Sequence, residues 1–353
     1  MKLKEFLDRH LQEPLGKGPK SDVVISSRVR LARNIANRIF TWRANNSVLE
    51  DIWETTRDLV RAQNIIRGAE FYLLSEISPV DRQLLIERRL ISSEHAAGDW
   101  PRGVIIIPDG RTSVMVNEED HLRIASTMPG LNLAECAAAV STIDNSLSKH
   151  IDFAFSEQLG FLTACPTNTG TAMRASCLVH LPGLVIREKI EPMLSELSKL
   201  GIVVRGFYSD GSKVIGDIFQ ITNATTLGRS ETEILRNIEH VVNGIITFEK
   251  NARNELLTPR YKAETEDRIF RSNALLSSAR KIDFKEAMEL ISMVKLGLGL
   301  GLELPWKEEV INELIILIQP AHIQEIVGKL LTPDERDYIR AKIIRQKLTT
   351  DTN

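Results

Sequence analysis

Apolar and polar residues alternate over "VISSRVRLARN" (24–34), which places Ser26, Arg28 and Arg30 on one face of a β-strand and Ile25, Val29 and Leu31 on the other. The apolar face suits a core. The other face sets two guanidinium groups side by side, and they repel unless an anion lies between them. A solvated edge strand would show the same pattern, so this segment alone leaves both readings open. Further on, "GVIIIPDGRTSVMVN" (103–117) is two apolar runs joined by Pro-Asp-Gly, the signature of a hairpin. "NLAECAAAVSTIDNSLSKHI" (132–151) has helical periodicity, and so does "IREKIEPMLSELSKLG" (186–201). Strand-like runs flank the second helix at 161–181 and 202–223. "SETEILRNIEHVVNGIITFEKNA" closes the region as a helix: Ser230 and Glu233 have capping-box spacing, and Ile234, Ile238, Val241, Val242 and Ile245 form a stripe. Strands joined by turns, with a few long helices, predict an α+β fold, an antiparallel sheet flanked by helices.

After Thr258-Pro259 the pattern becomes almost wholly helical, in four runs: 263–282, 283–304, 307–331 and 332–348. This reading divides the chain into a mixed region, 1–255, and a small all-helical C-terminal domain, 256–353, suited to pack as a bundle or against a partner copy.

Composition narrows the function classes. The 353 residues are 43% hydrophobic and 26% charged, with a net charge of −2, so a surface built to coat nucleic acid is not expected. Cys136, Cys165 and Cys177 have no paired spacing, which fits a reducing cytoplasm rather than a disulfide framework or a zinc site. His95, His150 and His180 show no metal-ligand spacing, so no metal ligands are assigned. No stretch reaches the roughly 18 apolar residues of a membrane span. "GLGLGLEL" (297–304) fails the dinucleotide-binding spacing because position 302 is Leu302, and it continues a helix rather than following a strand.

Three more stretches carry chemistry. "VNEEDHLRI" sets Glu118 and Glu119 at a strand end, with His121 and Arg123 just beyond. These carboxylates are suited to a cation while Arg123 faces an anion; surface charge is the plainer alternative. "CPTNTGTAMRASC" holds Cys165 in a turn-rich polar loop ahead of Arg174. A lone cysteine is commonly a small buried hydrophobe, but hydroxyls and arginines stabilise a thiolate. "VVRGFYSDGS" ends a strand at Arg205 and carries Asp210 in the following loop.

Together "SSRVR", "NEEDHLR", "CPTNTGT" with "RAS", and "RG" before an acidic loop resemble, in order, the catalytic domain of the phosphagen kinases, the ATP:guanidino phosphotransferases, over about residues 20–255. The resemblance implies a nucleotide site made by the motif residues Ser26, Ser27, Arg28, Val29, Arg30, Arg123, Arg174, Ala175, Ser176, Cys177, Leu178 and Arg205, with the arginines around the ATP phosphates. It further implies that Glu119 holds the acceptor guanidinium and helps remove its proton, that Glu118 reaches Mg2+ through water, and that Cys165 lies beside the guanidinium as a thiolate. The magnesium would be held mainly by nucleotide and water. Arginine suits such a site because its charge is permanent and its donors form a planar fork. Phosphoryl transfer itself needs mainly in-line positioning and charge neutralisation.

Three departures from the family pattern bear on the acceptor and on rate. The strand begins within thirty residues of the start of the sequence, without the helical domain that precedes it in kinases of small guanidino compounds. That implies an open site and an arginine side chain in a protein as acceptor, the layout of bacterial protein-arginine kinases. Asp210 stands where the family has a second catalytic glutamate, and it has one methylene less reach. "IERRLIS" carries Arg89 where a nucleotide-contacting histidine is expected.

The last helix begins at Thr332, Pro333 and Glu335 with capping-box chemistry, and Arg336 and Arg340 follow as i,i+4 neighbours beside Asp337. A solvated charged face explains these residues alone. "RDYIRA" matches the RDxxRA motif of protein-arginine kinases, which implies that Arg336, Asp337 and Arg340 bind phosphoarginine. The family further implies a homodimer, a zinc-binding activator protein, and arginine phosphorylation that marks proteins for a Clp chaperone-protease in stress response. The alternatives are a phosphoarginine-binding adaptor impaired through Asp210 and a kinase of a free guanidino metabolite.

Overall fold

The computed structural model describes residues 18–210 and 213–350; the side chains of Ser209, Asp210, Lys213, Thr349 and Thr350 are outside the described set. An eight-stranded, wholly antiparallel sheet organises the chain. Its strands are β1 (Val24–Arg33), β2 (Glu70–Leu73), β3 (Gly103–Ile106), β4 (Thr112–Val116), β5 (Leu122–Pro129), β8 (Met173–His180), β9 (Ile202–Gly206) and β12 (Ile218–Asn223). Two small ribbons lie outside it, β6 (Phe155–Ser156) with β7 (Gly160–Phe161) and β10 (Ser209–Asp210) with β11 (Lys213–Val214). The order across the sheet is β2-β3-β4-β5-β1-β8-β12-β9, so the arginine-bearing β1 is a central strand and the edge-strand reading fails. The 103–117 hairpin forms as β3 and β4, with Asp109 accepting from the N–H groups of Arg111 (2.8 Å) and Thr112 (2.9 Å) in its turn.

One face of the sheet carries the larger core. Val29, Leu31, Ile105, Val114, Ile124, Ala175 and Phe219 pack there against α1 (Asn46–Ala62), α4 (Leu133–Leu147), α6 (Ile190–Lys199) and α7 (Glu231–Leu256). The capping box of Ser230 and Glu233 opens α7, and its predicted stripe is buried. The helix expected over 186–201 starts only at Ile190, because Glu188 adopts a left-handed φ of 55° that separates it from the short α5 (Pro182–Ile186). Of the strand-like run 161–181, only β8 and the tip of β7 are extended.

The opposite face is shared between packed helices and an open cleft. α2 (Pro79–Glu87), the short α3 (Ser93–Ala97) and the segment between them cover one end of the sheet through Leu84, Leu85, Leu90 and Ile91. The helical region covers the other end with α8 (Lys262–Ser278), α9 (Phe284–Gly299), α10 (Glu308–Leu317), α11 (Pro320–Val327) and α12 (Pro333–Thr350). Ile25, Leu178, Ile215 and Ile218 join Met288, Ile291, Ile311 and Ile344 in one core. Strict alternation places Ile25 beside Val29; a register shift between Val24 and Ser26 turns it to the other face and into this second core.

The run expected as one helix over 307–331 is two, bent by 89°, because Pro320 cannot continue α10 and instead opens α11. The capping box of Thr332 and Glu335 is present at the start of α12. The glycines at 297 and 299 serve helix packing: a Cβ on Gly297 would come within 2.6 Å of Ile269, and one on Gly299 within 2.5 Å of Arg253. Among the described residues no single helix is long and apolar enough to cross a membrane.

Buried polar groups tie the layers together. Glu249 on α7 is fully buried, accepts from the N–H groups of Gly183 (2.9 Å) and Leu184 (3.0 Å) at the start of α5, and pairs with Arg253 (2.6 Å). Arg253 in turn donates to the carbonyls of Asp22 and His180. Replacing Glu249 with alanine strands a buried guanidinium and two N–H groups, and the expected loss is about 3–5 kcal/mol. Urea unfolding of the variant measures it; a loss below about 1 kcal/mol would show that water or repacking replaces the carboxylate.

Candidate active site

The β-sheet pleat builds a cationic row. Arg28 and Arg30 project from β1 opposite the face that carries Val29 and Leu31, and Arg30 is directly opposite Arg174 on β8. Arg123 enters from β5, where it pairs with Ala32. Arg205 stands on β9 opposite Gln220 of β12, toward the far edge. All five line one cleft of about 1150 Å³, together with Arg89, Arg102, Glu118, Glu119 and Cys165.

Removal from water holds Arg28, Arg30 and Arg89 below their usual range, and neighbouring cations lower Arg28 and Arg30 further, whereas Arg123, despite its burial, is raised by Glu118. Burial and then the charges of Arg123 and Arg89 bring the Arg30 guanidinium down to about 9. Burial brings Arg89 to about 10 and, with Arg30 and Arg89 next in effect, pushes Arg28 well down. The Nε atoms of Arg28, Arg30 and Arg89 are buried without a hydrogen-bond partner among the described residues. Such a cluster is an anion receptor before any anion arrives.

The acidic loop between β4 and β5 holds its residues by different means. Burial alone would raise the Glu118 carboxylate, but the charge and hydrogen bond of Arg123 and the Ser92 hydroxyl (2.5 Å) bring it to about 2. Ser92 also accepts from His95 N–H at 3.0 Å, so its own proton is left for Glu118. Glu119 stays exposed at the cleft mouth, where partial burial and then Asp120 raise its pKa. Its carbonyl accepts from the Thr41 hydroxyl.

Asp120 and Asn34 carry no mark in the sequence, and His121 is marked there only as a neighbour of the acidic pair. Asp120 accepts from Asn34 Nδ2 (2.6 Å) and from Ala164 N–H (2.7 Å), which ties the acidic loop to the cysteine loop. Asn34 Oδ1 accepts from His121 N–H (3.0 Å). The imidazole of His121 accepts at Nδ1 from Ile35 N–H (3.0 Å), which leaves Nε2–H to donate to the Ile39 carbonyl (2.9 Å). This buried network sets Glu119 and Cys165 on one mouth of the cleft.

Cys165 Sγ lies 3.1 Å from the Thr167 hydroxyl, and Arg174 Nη2 donates to the Thr167 carbonyl at 3.2 Å. Arg174 also donates through Nε to Asn168 (2.9 Å) and through Nη1 to the carbonyls of Asn223 and Ala224. It is therefore fixed in place rather than mobile in the cleft.

Other motif residues are placed elsewhere. Val29, Ala175 and Cys177 point into the larger core, and burial raises the Cys177 thiol to about 12. Ser27 donates to the Gly130 carbonyl at 2.8 Å, and Leu178 joins the second core. Ser26 accepts from Arg89 Nη1 (2.8 Å), and Ser176 is buried between strands. The side chain of Asp210 lies outside the described residues.

The RDxxRA residues form a separate cluster on α12. Arg340 is buried and donates to the carbonyls of Ile318 (2.9 Å) and Ile282 (2.9 Å) and to Asp337 (2.5 Å). Arg336 is half-buried and donates to the Leu331 carbonyl at 3.3 Å. The two arginines are not an evenly solvated pair: one clamps the helical region, and the other faces outward.

The family model for the ATP:guanido phosphotransferase C-terminal catalytic domain matches residues 51–252, and that for the protein-arginine kinase McsB C-terminal domain matches residues 262–353. The chain is 41% identical over 349 residues to a protein-arginine kinase of Halothermothrix orenii, covering 99% of each sequence. It is 41% identical over 339 residues to that of Geobacillus stearothermophilus, covering 95% of this chain and 93% of the relative. Among solved structures, lombricine kinase aligns over 68% of this chain and 70% of its own, with a TM-score of 0.57 and 24% identity, a likeness of fold. The duplicated taurocyamine kinase of Schistosoma mansoni aligns with a TM-score of 0.55 and 27% identity over 64% of this chain, which spans 33% of that protein.

The cationic row makes a demand that can be measured. Arg30→Met keeps the volume and removes a crowded, half-buried charge, so the ligand-free protein is expected to gain about 1–2 kcal/mol in urea unfolding. Inorganic tripolyphosphate at about 100 times its Kd should stabilise the unaltered protein by about 2.7 kcal/mol. The variant should lose most of that gain. An Arg30→Met protein less stable than its parent would show that Arg30 is held by partners rather than strained by them.

Proposed function

Because the chain belongs to the protein-arginine kinase family, with an ATP:guanido phosphotransferase catalytic domain, we propose that it transfers the γ-phosphoryl group of Mg·ATP to a guanidinium nitrogen of arginine side chains in proteins. The single observation that carries the site reading is the row Arg123, Arg28 and Arg30, Arg174 and Arg205 across one sheet face, ending at Glu119 and Cys165. In the reaction a guanidinium nitrogen bonds to the γ-phosphorus as the bond to the bridging β,γ-oxygen breaks, and ADP leaves with that electron pair. The proton of the attacking nitrogen goes to Glu119 or through it to water. The arginine row offsets the charge on the equatorial oxygens.

Magnesium fits as a companion of the nucleotide. Glu118 is already engaged by Arg123 and Ser92, so the cleft offers few free oxygens to a resident ion that prefers several. Glu118 would meet the ion through water. A protein acceptor is supported by the two curated relatives and by the match of residues 262–353. The same proposal includes a cytoplasmic setting, supported by three free cysteines. It also includes a homodimer through the helical region, where Leu330 and Tyr338 are exposed. A zinc-binding activator, phosphoarginine capture at Arg336, Asp337 and Arg340, and hand-over of marked proteins to a Clp chaperone-protease in stress response rest on the RDxxRA motif and the family resemblance.

The test offers labelled Mg·ATP an unstructured arginine-rich protein and free arginine in separate reactions. Acid-labile label on the protein, reduced on the order of 10²–10⁴-fold by Glu119→Gln, supports the proposal. Label on free arginine alone would make the chain a metabolite kinase, and label on neither, with an activator added, would leave a binding adaptor.

Rate against pH gives a second check. Glu119 works ionised and its pKa is raised, so kcat/KM should climb with pH through a value above the ordinary carboxylate range. Glu118 remains ionised down to about 2 and adds no limb there. An acid limb that survives in Glu119→Gln would assign the base to another group.

A further inference from the structure

Glu87 is a buried carboxylate at the C-terminal end of α2, the end of a helix that favours cations. Beyond a 3.5 Å contact from Gln83 Nε2 on its own helix, its partners come from the helical region, 234 and 235 residues further along the chain. One oxygen accepts from the backbone N–H of Ala321 (2.9 Å), and the other from the N–H (3.0 Å) and Nδ1 (2.7 Å) of His322. A carboxylate only accepts, so the His322 proton is on Nδ1. The preceding residue of α11, Gln319, makes no side-chain cap, and Glu87 supplies it from the other region of the chain.

Two residues beyond Glu87 the chain enters the cleft. Arg89 sits at a φ of 62°, a left-handed conformation costly for a side chain of its size and maintained only where neighbours impose it. Its carbonyl accepts from Arg28 Nη2 (2.9 Å), and its Nη1 donates to Ser26 Oγ (2.8 Å). The span 87–89 is thus fastened at one end to α11 and at the other to the anion-facing side of β1.

We propose that Glu87 is a positioning residue for the nucleotide cleft, through which the N-terminus of α11 sets where Arg89 and Arg28 stand. This rests on the reading of the cleft as the Mg·ATP site. Its consequence is that nucleotide affinity depends on a helix that does not itself line the cleft. Glu87→Gln keeps size and shape but withdraws the charge that holds two N–H groups and the imidazole, so Arg89 loses its fixed backbone.

The experiment is calorimetric binding of Mg·ADP to the full-length chain, with circular dichroism and melting curves to establish that each variant is folded. Binding to Glu87→Gln is expected to weaken about tenfold, on the order of one displaced charge-assisted hydrogen bond to the nucleotide. KM for the protein acceptor should stay within about twofold. In an Arg89→Ala background the same change should cost less than about twofold, since the effect passes through Arg89. Equal losses in both backgrounds, or an unchanged Kd with a lowered melting temperature, would overturn the proposal. Should Glu87→Gln fail to fold, His322→Leu removes the imidazole donor and leaves the backbone N–H; a folded His322→Leu with unchanged Kd would also overturn it. Binding is read without an acceptor, so failure of arginine transfer leaves this test intact, while wild-type protein that binds no Mg·ADP would overturn both readings.

Discussion

Repulsion among like charges on one sheet face is the constraint around which this protein is built. Arg30 faces Arg174 across a β-ladder, and beyond the effect of burial the charges of Arg89 and Arg123 lower both Arg28 and Arg30. Directly opposed like charges weaken a sheet. The fold accepts that weakness at its centre and offsets it around the edge. The reverse face of β1 sets Val29 and Leu31 in the larger core, with Ser27 and Arg33 satisfied there by Gly130 and Asp144, and the ends of the sheet are sealed by two further cores. An anion binding in the cleft then relieves strain already present, which is how a preorganised electrostatic site works.

The carboxylates are kept apart from this row by structure rather than by distance along the chain. Glu118 and Glu119 are adjacent in sequence, yet one is driven to about 2 by Arg123 while the other is raised by partial burial and Asp120. Divergent environments assign divergent roles: a carboxylate locked in an ion pair organises arginine, and one left at the mouth with a raised pKa can exchange a proton. The Asn34–Asp120–Ala164 bridge makes that division durable, because moving either loop breaks a buried hydrogen bond.

Alternation in β1, the hairpin turn at Asp109, and the capping residues Ser230 and Thr332 were legible because they are local: period two, turn chemistry and i to i+3 reach. That Arg28, Arg30, Glu118, Glu119, Arg123, Arg174 and Arg205 would share one cleft was legible through motif order. What stayed hidden is long-range. Nothing within residues 24–34 says that β1 has neighbours on both sides, because β5 and β8 come from sequence about 100 and 150 residues away. Ile25 changed faces through a bulge, which one-residue register shifts produce without a compositional mark. Arg340 shows no sign in "RDYIRA" of its burial, since the carbonyls it holds belong to Ile318 and Ile282. Asp120 and Asn34 read as ordinary polar residues until the fold places them against the cysteine loop.

The helical region is consequently part of the catalytic fold. Ile25 and Leu178 sit on the two central strands that carry Arg28 and Arg174, and both are covered by side chains from α9, α10 and α12. Taking these helices away would expose apolar surface on the same face, beside the arginine row, and remove the partners of Glu87 next to Arg89. A sheet that concentrates repulsion at its centre has little stability to spare, so the residues that pull those strands into register matter as much as those that face the cleft. In this chain, they are supplied in large part from beyond residue 280, which joins in one apolar core two regions that composition separates at Thr258-Pro259.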